Sequence, residues 1–284
     1  MKGVILCADD FAVNASASLG IAKLAAMGRL SATSVMVLSP RWPQDVALLQ
    51  DLRGRMDVGL HLDWTSDFAV AAGHGLSLGA AMFKAALGGF DRQAARVIIE
   101  RQLDAFEAQW QAPPDYVDGH QHVQQFAGIR QALVQALSHR YGGGREPSRA
   151  NSAPAGQSGP EAVMPYLRIS RPPAGTADFK GRVIAAMGAY ALKKIAANAG
   201  VTGATALLGI YNFAGDQRRY GALMQGWLRA APAGSIIMCH PAQAAEPDDP
   251  IGLARAEEFA YLSGLDFPQA LAQAGVQLVR GPAR

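Results

Sequence analysis

Residues 3–11 read Gly3-Val4-Ile5-Leu6-Cys7-Ala8-Asp9-Asp10-Phe11. Six small or apolar residues run without interruption into two adjacent aspartates. A run this short, Gly3–Ala8, reads as a β-strand, and the same kind of run returns at intervals along the chain. The others are Ser34–Ser39, Val58–Leu62, Tyr116–Val123, Leu167–Ser170, Ala206–Ile210, Ser235–Cys239 and Val276–Val279. Between them apolar residues recur at helical spacing. Leu19, Ala22, Ala26 and Leu30 follow a cap at Asn14, Ile99, Leu103, Phe106 and Trp110 form a second stripe, and Ile129, Leu133 and Leu137 a third. Strand and helix in alternation mean a parallel sheet. Eight such strands in 284 residues predict an α/β fold of the irregular (β/α) TIM-like barrel type, one domain spanning residues 1–284. Periodicity alone leaves a doubly wound open sheet as the alternative.

Two segments interrupt the alternation. Tyr141–Pro165 is rich in Gly, Pro, Ser and Ala and lacks an apolar period, which predicts a flexible insertion or lid. Asp67–Gly89, which contains His74, is Ala- and Gly-rich and reads as a loop with a weak helix over the barrel mouth.

The bulk composition narrows the class. Half of the chain is apolar and 17% is charged, which excludes a disordered or fibrous protein. A formal charge of +3, scattered and without basic-aromatic runs, gives no footing for nucleic acid. No apolar stretch reaches transmembrane length, and the N-terminal run ending in Asp9-Asp10 is not a signal peptide. Cys7 and Cys239 lie at the ends of apolar runs without a partner motif. They read as buried core thiols in a reducing compartment, so the expected location is the cytoplasm. A homo-oligomer is left open.

The ends of the strands carry the chemistry. Four runs finish in Asp or His: Ala8-Asp9-Asp10, Gly59-Leu60-His61, Asp118-Gly119-His120-Gln121-His122 and Cys239-His240. In a (β/α) barrel the C-terminal strand ends meet at one mouth, so these residues are expected to converge. Asp118, His120 and His122 alternate, and a strand continuing to Val123 would present all three on one face. Singly each has an ordinary explanation, as a hydrogen-bonded histidine, a helix-start carboxylate or an Asp-Gly turn. Together they read as a metal site, because ionisable groups crowded on one face are costly unless a metal, catalysis or pairing compensates. One carboxylate with two imidazoles leaves positions open for water and substrate, as a catalytic site requires. Donor types alone leave Zn, Mn, Fe, Co, Ni and Mg open.

Four motifs in order, Ala-Asp-Asp-Phe, Gly-Leu-His-Leu, Asp-Gly-His-Gln-His-Val and Met-Cys-His-Pro, resemble those of the YdjC-like carbohydrate deacetylase family. That family includes chitooligosaccharide deacetylases and a hopanoid-biosynthesis branch. The resemblance implies a deacetylase-type barrel with one divalent ion, Mg2+ or Zn2+ first and Mn2+, Co2+ or Ni2+ as alternatives, held by Asp10, His61 and His120. It further implies Asp9 as general base and His240 as general acid. Arg168 then stands near the site to orient a carboxylate or the substrate, and His122 outside the ligands or toward the substrate. Trp64, with Trp42 and Trp227, could give a sugar-stacking face, though a tryptophan in such a chain is more often core. Two positions depart from the family pattern: Ala12 where Gly is usual, and Gln124 where a further His is usual. Gln124, on the face of His120 and His122 if the strand continues, is expected to bear on specificity.

The implied reaction is hydrolysis of an N-acetyl group from an amino sugar, free or lipid-linked, releasing acetate. One rival is a metallohydrolase of a phosphodiester or cyclic amide, which a second metal would favour. The other is a catalytically silent sugar-binding homologue.

Overall fold

The computed structural model describes residues 1–142, 163–173, 175 and 179–281. All eight expected strands are present: β1 (Lys2–Phe11), β2 (Ala32–Val35), β3 (Asp57–Leu62), β4 (Tyr116–Gly119), β5 (Tyr166–Leu167), β6 (Leu207–Leu208), β7 (Ile236–Cys239) and β8 (Val276–Leu278). Every pairing is parallel, in the order β5-β4-β3-β2-β1-β7-β6, with β8 pairing the start of β1. The sheet curls into a half-barrel under helices. Its ends approach irregularly: one parallel bridge joins Leu167 to Gly203, and the Leu207 N–H donates to the Arg171 carbonyl. β1 is central and buried along nearly its whole length, which is why its sequence is an unbroken apolar run.

Two readings of local structure need correction. β4 ends at Gly119 rather than continuing to Val123, and His120–Gln125 form a 3-10 turn. Gln121 and His122 take positive φ there, 51° and 65°, so no strand alternation places His120 and His122. The first helix, Ala15–Ala26, does follow the Asn14 cap, whose side chain accepts from the Ala17 N–H at 2.8 Å. Its buried face is Ala17, Ile21 and Leu24, and Leu19 is exposed. The stripes on Arg92–Trp110 and Ile129–Tyr141 are buried as read. Asp67–Gly89 holds two short helices, Asp67–Ala71 and Leu78–Ala86. Most of Tyr141–Pro165 lies outside the described residues.

Candidate metal and hydrolase site

β1, β3, β4 and β7 end around one cavity of about 980 Å³, lined by Asp9, Asp10, His61, His120, His122 and His240 among others. Convergence follows from the parallel sheet, because parallel strands present their C-terminal ends on one side. The backbone helps at β1. Asp10 and Ala12 sit at φ 65° and 73°, turning the chain so that adjacent carboxylates take different partners. Ala12 therefore holds the left-handed conformation that glycine adopts without strain. It is pinned by the Ser18 hydroxyl on its N–H and by its own carbonyl accepting from Ser39.

Asp10, His61 and His120 each offer a donor atom, and the three atoms lie within 4.8 Å of one another. Asp10 Oδ1 stands 3.4 Å from His61 Nε2 and 3.2 Å from His120 Nδ1. The other nitrogen of His61 is fixed on Asp118 Oδ1 at 2.6 Å, the carboxylate–histidine arrangement that orients metal-bound imidazoles. Burial alone would lower the His61 pKa, but Asp118 and Asp10 push it up to about 10. The pocket is thus built to hold positive charge at that point, and a divalent ion displacing the proton satisfies the same demand. The donor set fits a catalytic cation with open positions.

Behind this set lies a second buried group, Cys7, Asp9 and Asp118. Arg168 fills it. Its Nη1 and Nη2 reach Asp9 Oδ1 and Oδ2 at 2.6 and 2.8 Å, Nη2 reaches Asp118 Oδ2 at 2.9 Å, and Nη1 lies 4.0 Å from Cys7 Sγ. Burial raises the Asp9 pKa, but Arg168 first and His61 next bring it down to about 2. The Arg168 guanidinium lies between these two carboxylates. Arg168 is not among the described residues that line the cavity, and its guanidinium faces Asp9 and Asp118.

His240 follows β7, the neighbour of β1, with Nε2 3.8 Å from Asp9 Oδ2. Burial, against the pull of Asp9 and Asp10, lowers its pKa to about 4. Its Nδ1 is buried without a hydrogen-bond partner among the described residues. The Phe213 ring meets the imidazole edge-on at 5.1 Å. His122 lines the cavity, accepts or donates at Ser170 Oγ at 3.1 Å, and burial with Arg168 lowers it to about 3, so it is neutral.

Two expectations fall away from the cavity. Trp64 is 1% exposed, packed edge-on against His74 and Phe90 in the core. Trp42 stacks on Phe106, and Trp227 packs on Tyr211 and Tyr220. Gln124 is fully buried beneath the site, its Nε2 donating to the Arg168 carbonyl and Ser170 Oγ, because the 3-10 turn carries it off the mouth. The aromatic side chains that do reach the cavity are Phe68 and Phe213.

Asp118, singled out in the sequence, holds His61 Nδ1. Two further charged side chains at the site escaped the sequence reading. Arg255 donates to Asp10 Oδ2 at 2.7 Å, and Glu258 accepts from the His240 N–H at 2.5 Å and the Tyr211 hydroxyl at 2.7 Å. Burial pushes Glu258 up to about 7 against those donors. The signal was present. Ala254, Arg255, Glu258, Tyr261 and Leu262 share the buried face of the Gly252–Ser263 helix, and charges on an apolar stripe mark a site.

No curated protein sequence matches the chain at a significant level. Among solved structures, a protein of Enterococcus faecalis named for a proposed cellobiose-phosphate cleavage superposes with a TM-score of 0.67 at 16% identity, covering 98% of this chain and 97% of that one. The Xyl-CE4 domain of a xylanase from the Trinervitermes trinervoides hindgut metagenome gives a TM-score of 0.48 at 10% identity, over 98% and 87% of the two chains. The family model for YdjC-like proteins matches residues 3–273. The chain belongs to the YdjC-like protein family.

Proposed function

We propose that the protein is a metal-dependent carbohydrate deacetylase that hydrolyses an N-acetyl group from an amino sugar. The observation that carries this reading is the pairing of one three-donor set, Asp10, His61 and His120, with a neighbouring carboxylate pair already neutralised by Arg168. That arrangement supports a single ion and argues against the two-metal phosphodiesterase alternative. A divalent ion bound there would polarise the acetyl carbonyl and acidify water.

The chain's own groups supply the proton transfers. Arg168 keeps Asp9 ionised at any ordinary pH, so the base form is always present. The same guanidinium lowers its proton affinity, which makes Asp9 effective only toward a water that has been acidified. His240 rests neutral, and it faces Asp9 across 3.8 Å. It therefore acts as the acid after receiving a proton during turnover, then delivers it to the departing sugar nitrogen. Loss of the C–N bond leaves acetate and the free amine.

The cavity wall favours the substrate. Phe68, Leu78, Met82, Ile184, Met187 and Phe213 give the cavity lining apolar surface, which suits an N-acetyl sugar joined to an apolar aglycone better than a bare oligosaccharide. Buried free thiols at Cys7 and Cys239 suit the cytoplasm. The test is a panel of N-acetylated sugars, free and lipid-linked, beside phosphodiesters and cyclic amides, incubated with metal-loaded protein. Acetate from the lipid-linked sugars supports the reading; turnover confined to phosphodiesters or cyclic amides defeats it.

A further inference from the structure

Arg255 is 4% exposed, and its guanidinium is divided among three partners. Nη2 donates to Asp10 Oδ2 at 2.7 Å, Nε to Asp249 Oδ2 at 2.7 Å, and Nη1 to the His240 carbonyl at 3.4 Å. Asp249 is itself held, since its Oδ2 accepts from Asn14 Nδ2 at 3.2 Å and its Oδ1 from the Ile251 N–H at 3.0 Å. The guanidinium cannot swing without breaking this chain of contacts. One turn along the same helix, Glu258 grips the His240 N–H. The helix thus sends two buried charges to the same strand ends, one to the carboxylate of β1 and one to the backbone leaving β7.

We propose that Arg255 is a positioning residue of the metal site, an inference that rests on the metal-dependent reading above. By occupying Oδ2 it leaves Oδ1 of Asp10 facing His61 Nε2 and His120 Nδ1, so the carboxylate is presented through one oxygen. By bonding the His240 carbonyl it ties that carboxylate to the residue leaving the neighbouring strand β7. An ion pair kept only to neutralise a buried aspartate would need neither the Asp249 anchor nor the His240 contact. Partners that orient a metal-binding carboxylate are typically worth about 10–100-fold in metal affinity.

The test is calorimetric titration of the metal-stripped full chain with Zn2+, comparing wild type with Arg255→Gln, Arg255→Lys and Asp249→Asn. Arg255→Gln should bind Zn2+ about 10–100-fold more weakly. Arg255→Lys keeps the charge and loses the fork, so it should fall between. Asp249→Asn, which frees the anchor but keeps the arginine, should weaken binding by less. Acetate release by the loaded variants should show the loss in kcat, with KM within about two-fold of wild type. Zn2+ binding unchanged in all three overturns the proposal. Tighter binding in Arg255→Gln also overturns it, since that is the signature of a cation that merely repels the metal. If Arg255→Gln does not fold, the Lys and Asn variants carry the same comparison. A wild type that binds no ion would defeat the metal-dependent reading and this proposal together; a wild type that binds while the variants match it defeats this proposal alone.

Discussion

Replacing Arg168 with Met keeps an unbranched stem and removes the cation between Asp9 and Asp118. Both carboxylates are at most 3% exposed, so each would be left buried and unpaired on that side. The gap between the ordinary Asp pKa of 3.8 and the value of about 2 at Asp9 is worth about 2 kcal/mol of stability above pH 4. That figure is what survives after burial has opposed it. Removing one member of a buried pair generally costs about 3–5 kcal/mol, and we expect Arg168→Met to fall there at pH 7. The pH dependence gives the sharper check. In wild type the Asp9 contribution is present above the unfolded pKa and fades only as pH falls toward 2. In the variant, burial without the guanidinium raises the carboxylate pKa, so protonation stabilises the folded state as pH falls. The deficit should therefore be largest near pH 7 and narrow toward pH 4. Urea unfolding of both proteins at pH 4, 5.5 and 7 measures it. A deficit below about 1 kcal/mol at pH 7, or one that widens toward acid, would refute the reasoning. Arg168→Gln, which also removes the cation, provides the same comparison should the Met variant fail to fold.

Other outcomes follow from the same geometry. Asp118→Asn keeps the volume but weakens the hold on His61 Nδ1, and metal affinity measured by titration should drop about 10–100-fold. Asp9→Asn should bind metal nearly as wild type while kcat for acetate release falls on the order of 10² to 10⁴; loss of metal binding instead would reverse the roles of the two aspartates. Glu258 titrates near 7 when buried against 4.5 when free, so its ionisation on raising the pH through that window costs the fold about 3 kcal/mol. Glu258→Gln lacks that loss, and its stability relative to wild type should improve between pH 5 and pH 8; a constant difference between the two pH values would show that Glu258 does not titrate there.

The strands and the convergence of Asp9, Asp10, His61, His120 and His240 were legible because parallel strands are apolar runs and their ends share one mouth. What escaped the sequence was set by backbone geometry and by contacts distant along the chain. An Asp-Gly-His-Gln-His stretch looks like alternation, yet Gln121 and His122 adopt positive φ and end the strand early. That turn buries Gln124 against the Arg168 carbonyl and Ser170, away from the cavity lining. Tryptophans suggested a sugar platform, but the large rings fill the core and phenylalanines line the cavity. Arg255 is 245 residues from Asp10 along the chain, and only the fold brings them together.

Titrating metal-stripped protein with Zn2+ while following acetate release from an N-acetyl amino sugar tests the metal-dependent deacetylase reading most directly. Release should be absent without the ion, saturate at one equivalent per chain, and be lost together with binding in His61→Ala. Saturation at two equivalents, or acetate release that persists in the presence of a chelator, would contradict it.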